Sequence, residues 1–191
     1  MSGADRERWD ARYRAGGGYG RRAPPRWLDE VDGHLPRQGR ALDVASGTGR
    51  IAVWLARRGL DVTAVDVSPV GLSLAREVAA DEGVRLATEI ADLERDPLPD
   101  GPYELIACVD YRQPSLFPEM VARLAPGGVL VAQLATVHNL ERHQKPSRRF
   151  LAEPGELREA AGDLDVLLYG EGWYEDRHVA RLVARRGEEG S

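Results

Sequence analysis

Leu42-Asp43-Val44-Ala45-Ser46-Gly47-Thr48-Gly49-Arg50 is the stretch on which the reading of this chain turns. An apolar run, Ala41 to Ala45, gives way to two closely spaced glycines, and a segment of helical period opens at Ile51. Glycine adopts positive φ without steric cost and lets a ligand approach the main chain. Gly47 and Gly49 therefore mark a tight strand-to-helix turn whose amides open at the mouth of a helix. Asp66 ends the next apolar run, about 20 residues beyond the loop, where a carboxylate can accept hydrogen bonds from both hydroxyls of a ribose. Loop and acid together specify a nucleoside site.

Outward from this stretch, short apolar runs alternate with segments of helical period, the pattern of parallel strands joined by crossover helices. Ala41–Ala45, Val62–Val67, Arg85–Ile90, Leu105–Val109 and Val129–Ala135 read as five strands, apolar enough for a sheet covered on both faces. The helical stripes are Ile51, Trp54 and Leu55; Val70, Leu74, Ala75 and Val78; and Phe117, Met120, Val121 and Leu124. Pro126-Gly127-Gly128 predicts a turn into the fifth strand. After a short helix over Glu156–Ala161, the runs Leu164–Tyr169 and His178–Val183 are joined by Gly170–Asp176, which is too short for a crossover helix. An antiparallel hairpin added to the sheet is expected. The fold class is α/β, a Rossmann-like three-layer sandwich with a mostly parallel seven-stranded sheet.

With 191 residues the chain is one domain. Residues 27–186 form it, residues 1–26 are expected to be an N-terminal flap hinged at Gly16-Gly17-Gly18, and residues 187–191 a frayed tail. The 26 basic and 31 acidic residues leave a net charge of −5 and a pI near 5.5. That is not the basic field that phosphate backbones require, so nucleic acid is not an expected partner. The longest apolar stretch, Val129–Val137, is interrupted by Gln133 and falls short of the roughly 18 residues of a membrane span. Cys108 has no partner cysteine, which suits a reducing compartment, and the cytoplasm is the expected location. Lys145 is the only lysine, so nearly all positive charge is carried by arginine.

Gly47-Thr48-Gly49-Arg50-Ile51-Ala52 also satisfies the G-x-G-x-x-A form of a nicotinamide-cofactor loop. Asp43 weighs against that reading. A dinucleotide seats its pyrophosphate at the helix N-terminus, where a carboxylate would repel it, whereas S-adenosylmethionine has no phosphate and carries a sulfonium and an ammonium. The arrangement favours a methyl donor over a hydride carrier. A Tyr-x-x-x-Lys pair of the reductase kind is excluded, because Glu141 stands four residues before Lys145. A cofactor binder without catalysis stays open on the residues alone.

These motifs resemble class I S-adenosylmethionine-dependent methyltransferases, especially the small enzymes similar to tellurite-resistance and thiopurine methyltransferases. Asp43-x-x-x-Gly47-x-Gly49 is similar to their first motif and Val65-Asp66-Val67-Ser68-Pro69 to their second. Ala91-Asp92-Leu93 resembles the third, and Leu124-Ala125-Pro126-Gly127-Gly128 the turn before strand five. Phe150-Leu151-x-x-Pro154-Gly155-Glu156-Leu157 resembles a segment of a bacterial subgroup. The resemblance implies S-adenosylmethionine as cofactor, held by Asp43, Ala45, Ser46, Gly47 and Gly49, with Asp66 and Val67 at the ribose and Asp92 and Leu93 at the adenine. Leu105 to Tyr111, Val109 included, would lie beneath the methionine part. Trp9-Asp10-x-x-Tyr13 resembles an element that closes over the cofactor, and Trp9 and Tyr13 can equally be packing aromatics.

Ser46 replaces a common Cys or Gly, and Tyr111-Arg112-Gln113-Pro114-Ser115 and Gln133-Leu134-Ala135 depart from the usual residues after strands four and five. The expected partner is thus a small-molecule methyl acceptor of uncommon kind. No Asn-Pro-Pro-Tyr-type motif follows strand four, which argues against methylation of nucleic-acid bases. Cys108 reads as a small core hydrophobe, and His138 and His143 lack a third ligand at metal-binding spacing. His138, Asn139, His143, Lys145, Arg148 and Arg149 read as a solvated polar loop, as do Trp173 and Tyr174, and Arg21, Arg22 and Arg26 as a surface charge run. Methyl transfer needs proximity and orientation more than an acid–base pair, and no catalytic base is assigned. Tyr111, His138 and solvent are the candidates for taking a proton.

Overall fold

The structure is a computed structural model and describes residues 3–16 and 23–188. In chain order its elements are α1 (Gly3–Arg14), α2 (Trp27–Glu30), β1 (Arg40–Val44), α3 (Arg50–Arg57), β2 (Asp61–Asp66), α4 (Pro69–Asp81) and β3 (Ala87–Ile90). There follow β4 (Tyr103–Val109), α5 (Phe117–Arg123), β5 (Leu124–Ala135), α6 (Glu156–Glu159), β6 (Asp165–Tyr174) and β7 (Arg177–Arg185). Residues 17–22, with the expected hinge glycines Gly17 and Gly18 and the arginines Arg21 and Arg22, lie outside the described residues, as does the end of the expected tail.

The strands form one seven-stranded sheet in the order β3-β2-β1-β4-β5-β7-β6. The first five pair in parallel, and β7 inserts antiparallel between β5 and β6. The topological switch lies beside β1, between β2 and β4, where open α/β sheets leave a crevice for ligands at the carboxyl ends of their strands. Successive side chains alternate between two cores. Leu42, Ile106, Cys108 and Leu130 face one side with Met120 and Leu157, while Ala41, Leu105, Ala107 and Val129 face the other with Trp27, Ile51 and Leu55.

Four expectations need correction. The buried stripe of α4 is Gly71, Leu72, Ala75 and Ala79, not Val70, Leu74, Ala75 and Val78. The reason is clearance, because α4 runs so close to the glycine loop that a Cβ on Gly71 would lie 2.9 Å from the Gly47 carbonyl oxygen. Three of the four residues of β3 are exposed, so the sheet is not covered on both faces at this edge. Pro126-Gly127-Gly128 is an irregularity inside β5, whose Leu124 already pairs with Tyr103 before the register resumes at Leu105 and Val129. Gly127 there has φ 73°, and a Cβ on Gly128 would meet the Tyr103 carbonyl at 2.8 Å. Finally, Gly170–Asp176 is mostly strand: β6 continues to Tyr174, and only Glu175 and Asp176 turn the hairpin.

Candidate active site

The glycine loop is built by Asp66 as much as by its glycines. The Asp66 carboxylate accepts hydrogen bonds from the Gly47 amide at 2.8 Å and the Ser68 amide at 2.9 Å, which ties the β1 turn to the β2 turn. Burial pushes the Asp66 carboxyl up, opposed by these amides and assisted by the charge of Asp10. Gly49 takes φ 79° at the start of α3, and a Cβ there would sit 2.6 Å from the Ala75 Cβ of α4. Its bareness lets the two helices close behind the loop.

Asp43, at the carboxyl end of β1, accepts from the Ala52 amide in the first turn of α3 at 2.9 Å. It is 2% exposed, and burial pushes its carboxyl up to about 7, against the downward pull of the Ala52 bond and the Arg50 charge. The buried side chain favours a cationic neighbour, because a positive charge would restore what desolvation removes.

The N-terminal helix covers this floor. Ser68 caps α4 by accepting from the Gly71 amide and donates its hydroxyl to Asp10 of α1. Trp9 and Tyr13 stack with ring centroids 5.5 Å apart, and the Tyr13 hydroxyl stands 2.8 Å from where a Gly47 Cβ would be. The aromatic pair therefore packs and faces the loop at once.

A cavity of about 760 Å³ runs from these residues to the start of β7. Ten of the twelve sequence candidates line it: Trp9, Tyr13, Asp43, Ala45, Ser46, Gly47, Asp66, Val67, Leu93 and Val109. Gly49 and Asp92 do not. Asp92 bonds within its own turn, its carboxylate accepting from the Glu94 amide while its own amide donates to Asp96. Cys108 is buried, its thiol pushed up to about 12 by burial first and by the charges of Asp43 and Asp110, consistent with a core residue.

The opposite end of the cavity was largely hidden from sequence reasoning. Asp110 follows β4 with φ 64°, a left-handed conformation uncommon outside glycine. Its carboxylate accepts from Arg50 at 2.8 Å, from Arg177 at 2.8 and 3.2 Å and from Gln133 at 3.2 Å. Burial pushes the Asp110 carboxyl up, yet the hydrogen bond and charge of Arg177, with Arg50 and Gln133, hold it below the ordinary value. Partners 60 and 67 residues away along the chain leave no local spacing to read. Asn139, His143 and Lys145, expected in a solvated loop, line this end, with Asn139 buried and bonded to the His178 backbone. His138 does not line it but pairs with Glu141. Burial pushes the Tyr111 phenol up, so at neutral pH it is a protonated donor and not a base.

The residues fit S-adenosylmethionine on their own chemistry. Asp43 and Asp66 flank a bare loop that admits close approach but offer an anionic floor to any pyrophosphate. The Ser46 hydroxyl, buried beside them, has no hydrogen-bond partner among the described residues. Among the described residues no group of His, Cys, Asp and Glu could hold a metal, and no helix is long and apolar enough to cross a membrane.

Comparison with known proteins points the same way. Residues 41–128 match the family model described as a methyltransferase domain. Over 113 residues the chain is 34% identical to the ubiquinone biosynthesis O-methyltransferase of Marinobacter nauticus, an alignment covering 54% of this chain and 48% of that protein. The chain thus spans about half the length of that curated relative. In fold it is similar to TehB from Haemophilus influenzae, with a TM-score of 0.69 and 22% identity over 83% of this chain and 60% of that one. It is also similar to a structure described as showing conversion of a disulfide bond into a thioacetal group during echinomycin biosynthesis. There the TM-score is 0.72 and identity 21%, over 97% of this chain and 94% of the other. The glycine loop and the two buried carboxylates thus lie within residues 41–128, which match a methyltransferase domain, in a chain whose seven-stranded sheet has the Rossmann-like fold of these solved structures.

Proposed function

We propose that the protein transfers the methyl group of S-adenosylmethionine to a small-molecule acceptor by direct in-line displacement. The observation that carries this reading is the pair of buried carboxylates, Asp43 and Asp66, on either side of the glycine loop in one cavity. In this assignment Asp66 takes the ribose hydroxyls, Ala91 and Leu93 border the adenine, and Asp43 faces the cationic aminoacyl end. Trp9 and Tyr13 on α1 act as a lid over the nucleoside. When bound, the cofactor supplies an electrophilic sulfonium methyl, and the electrons of the broken carbon–sulfur bond return to sulfur as the acceptor's lone pair forms the new bond. The protein contributes alignment and exclusion of water, which can supply much of the rate acceleration. The acceptor's proton, where it has one, passes to solvent, since Tyr111 is held as a neutral phenol. An acidic chain with its lone thiol buried fits a cytoplasmic enzyme that does not act on nucleic acid.

Calorimetric titration with S-adenosylhomocysteine, NADH and NADPH tests the assignment. Micromolar binding of S-adenosylhomocysteine alone, lost in Asp66→Ala, is expected. Binding of a nicotinamide cofactor in its place would overturn it.

A further inference from the structure

Of the 26 basic residues one is a lysine, and that lysine, Lys145, stands on the rim of the cavity. It belongs to the connection after β5, where residues 136–150 carry Arg142, Lys145, Arg148 and Arg149 against the single carboxylate of Glu141, in a chain of net charge −5. The other cations at this end are engaged. Arg112 forks onto Glu156 with both bonds at 2.7 Å, Arg50 and Arg177 share Asp110, and His143 bonds the Asp176 carbonyl at 2.8 Å. Lys145 is exposed and has no carboxylate within ion-pair distance among the described residues. Phe150, 43% exposed, lines the same cavity together with Pro146, Leu134 and Ala135. An ammonium without a carboxylate partner, an aromatic ring that is partly exposed with the Arg149 guanidinium 4.5 Å over its face, and apolar walls make a site for a flat body with a negative end. This end lies under the carboxyl termini of β5 and the start of β7, on the far side of β1 and β4 from Asp66 and α1. A cofactor placed by the glycine loop leaves it to the acceptor.

We propose, resting on the methyltransferase reading above, that the acceptor is a small planar organic carboxylate. Its negative group pairs with the Lys145 ammonium while its ring lies against Phe150 and Leu134. Lysine suits this task as a flexible point charge that can follow a small anion at an open rim.

The matched probes are 4-hydroxybenzoate and its uncharged analogue 4-hydroxybenzamide, titrated into the full chain saturated with S-adenosylhomocysteine at low ionic strength. A half-exposed ion pair at the upper end of the usual range favours the carboxylate about fivefold. The preference should vanish in Lys145→Gln and reverse in Lys145→Glu, with S-adenosylhomocysteine affinity within twofold of the parent in both. Because Lys145 is the only lysine, an amine reagent such as trinitrobenzenesulfonate modifies one side chain, and peptide mass spectrometry reads its protection. 4-Hydroxybenzoate should slow modification of Lys145 and 4-hydroxybenzamide should not. Equal affinity for the two probes, no binding of either, or a preference that survives Lys145→Gln would overturn the proposal. So would inorganic phosphate protecting Lys145 as well as the benzoate does. Failure of the parent chain to bind S-adenosylhomocysteine would overturn the underlying reading instead, and the calorimetric baseline separates the two failures.

Discussion

Raising the pH from 5.5 to 7 is expected to tighten binding of S-adenosylmethionine about 16-fold, through one side chain. Burial pushes the Asp43 carboxyl up to about 7, with the Ala52 amide and Arg50 pulling it down and Asp66 adding to the rise. A cationic ligand end prefers the ionised form, so apparent affinity follows the ionised fraction. That fraction is about 3% at pH 5.5 and about half at pH 7, a ratio worth about 1.6 kcal/mol. The cofactor's α-amino group stays protonated over this window, since such groups titrate near ~8. Calorimetric titration at pH 5.5, 6, 6.5 and 7 in constant ionic strength reads the slope, and Asp43→Asn, which keeps an acceptor for the Ala52 amide, should bind more weakly with little slope. Affinity flat across the window, or an equal slope in Asp43→Asn, would refute the argument. The same shift has the opposite sign for the ligand-free fold. A carboxyl whose folded value is raised from 3.8 to about 7 binds more protons folded than unfolded, so its stabilising contribution is lost as pH rises through that interval.

Asp43→Asn should accordingly raise the melting temperature of the ligand-free protein at pH 7.5, by about 2–4 °C for each kcal/mol recovered, while weakening cofactor binding. Asp66→Asn sets an amide against the Gly47 or Ser68 N–H. Thermal denaturation should show a loss of about 1–3 kcal/mol, with S-adenosylhomocysteine affinity down at least tenfold. Gly49→Ala and Gly83→Ala form a matched pair, since both positions have positive φ but only the first Cβ meets a neighbour, at 2.6 Å from Ala75. Gly83→Ala should cost about 1 kcal/mol and Gly49→Ala clearly more, read by urea denaturation. Ser68→Ala removes both the α4 cap and the tie to Asp10. It should cost about 1–2 kcal/mol and speed S-adenosylhomocysteine release in stopped-flow measurements, because α1 is loosened.

The sheet was legible because buried parallel strands leave short, dense apolar runs, and all seven strands fall on the runs read from the sequence, with shifted ends. The stripe of α4 is not legible from apolar bulk, which does not mark burial on this helix. At the face nearest the glycine loop it is the small residues, Gly71 and Ala75, that go inside. That Asp43, Gly47 and Asp66 meet in one cavity was equally legible, since they sit at fixed offsets from strand ends. The other half is assembled from β4, α3, β5 and β7 around Asp110, and a charge cluster gathered across 60 or more residues has no period. The burial of Asn139 and the partial burial of His143 do not show in the sequence, because polar loop composition is the same whether a loop faces bulk water or a cavity, while Lys145 is exposed as expected.

The insertion of β7 between β5 and β6 also sets an order of assembly. A growing chain can complete β1 to β4, the glycine loop and its Asp66 clasp long before Arg177 exists, and at that stage Asp110 has Arg50 but not the partner that forks onto it. Only when the hairpin has folded and its second strand has entered the sheet beside β5 does Arg177 reach Asp110 and the cavity gain its far wall. The glycine-loop side of the cavity therefore rests on contacts made between the β1 turn and β2, whereas the Asp110 side waits on a strand 67 residues further along the chain.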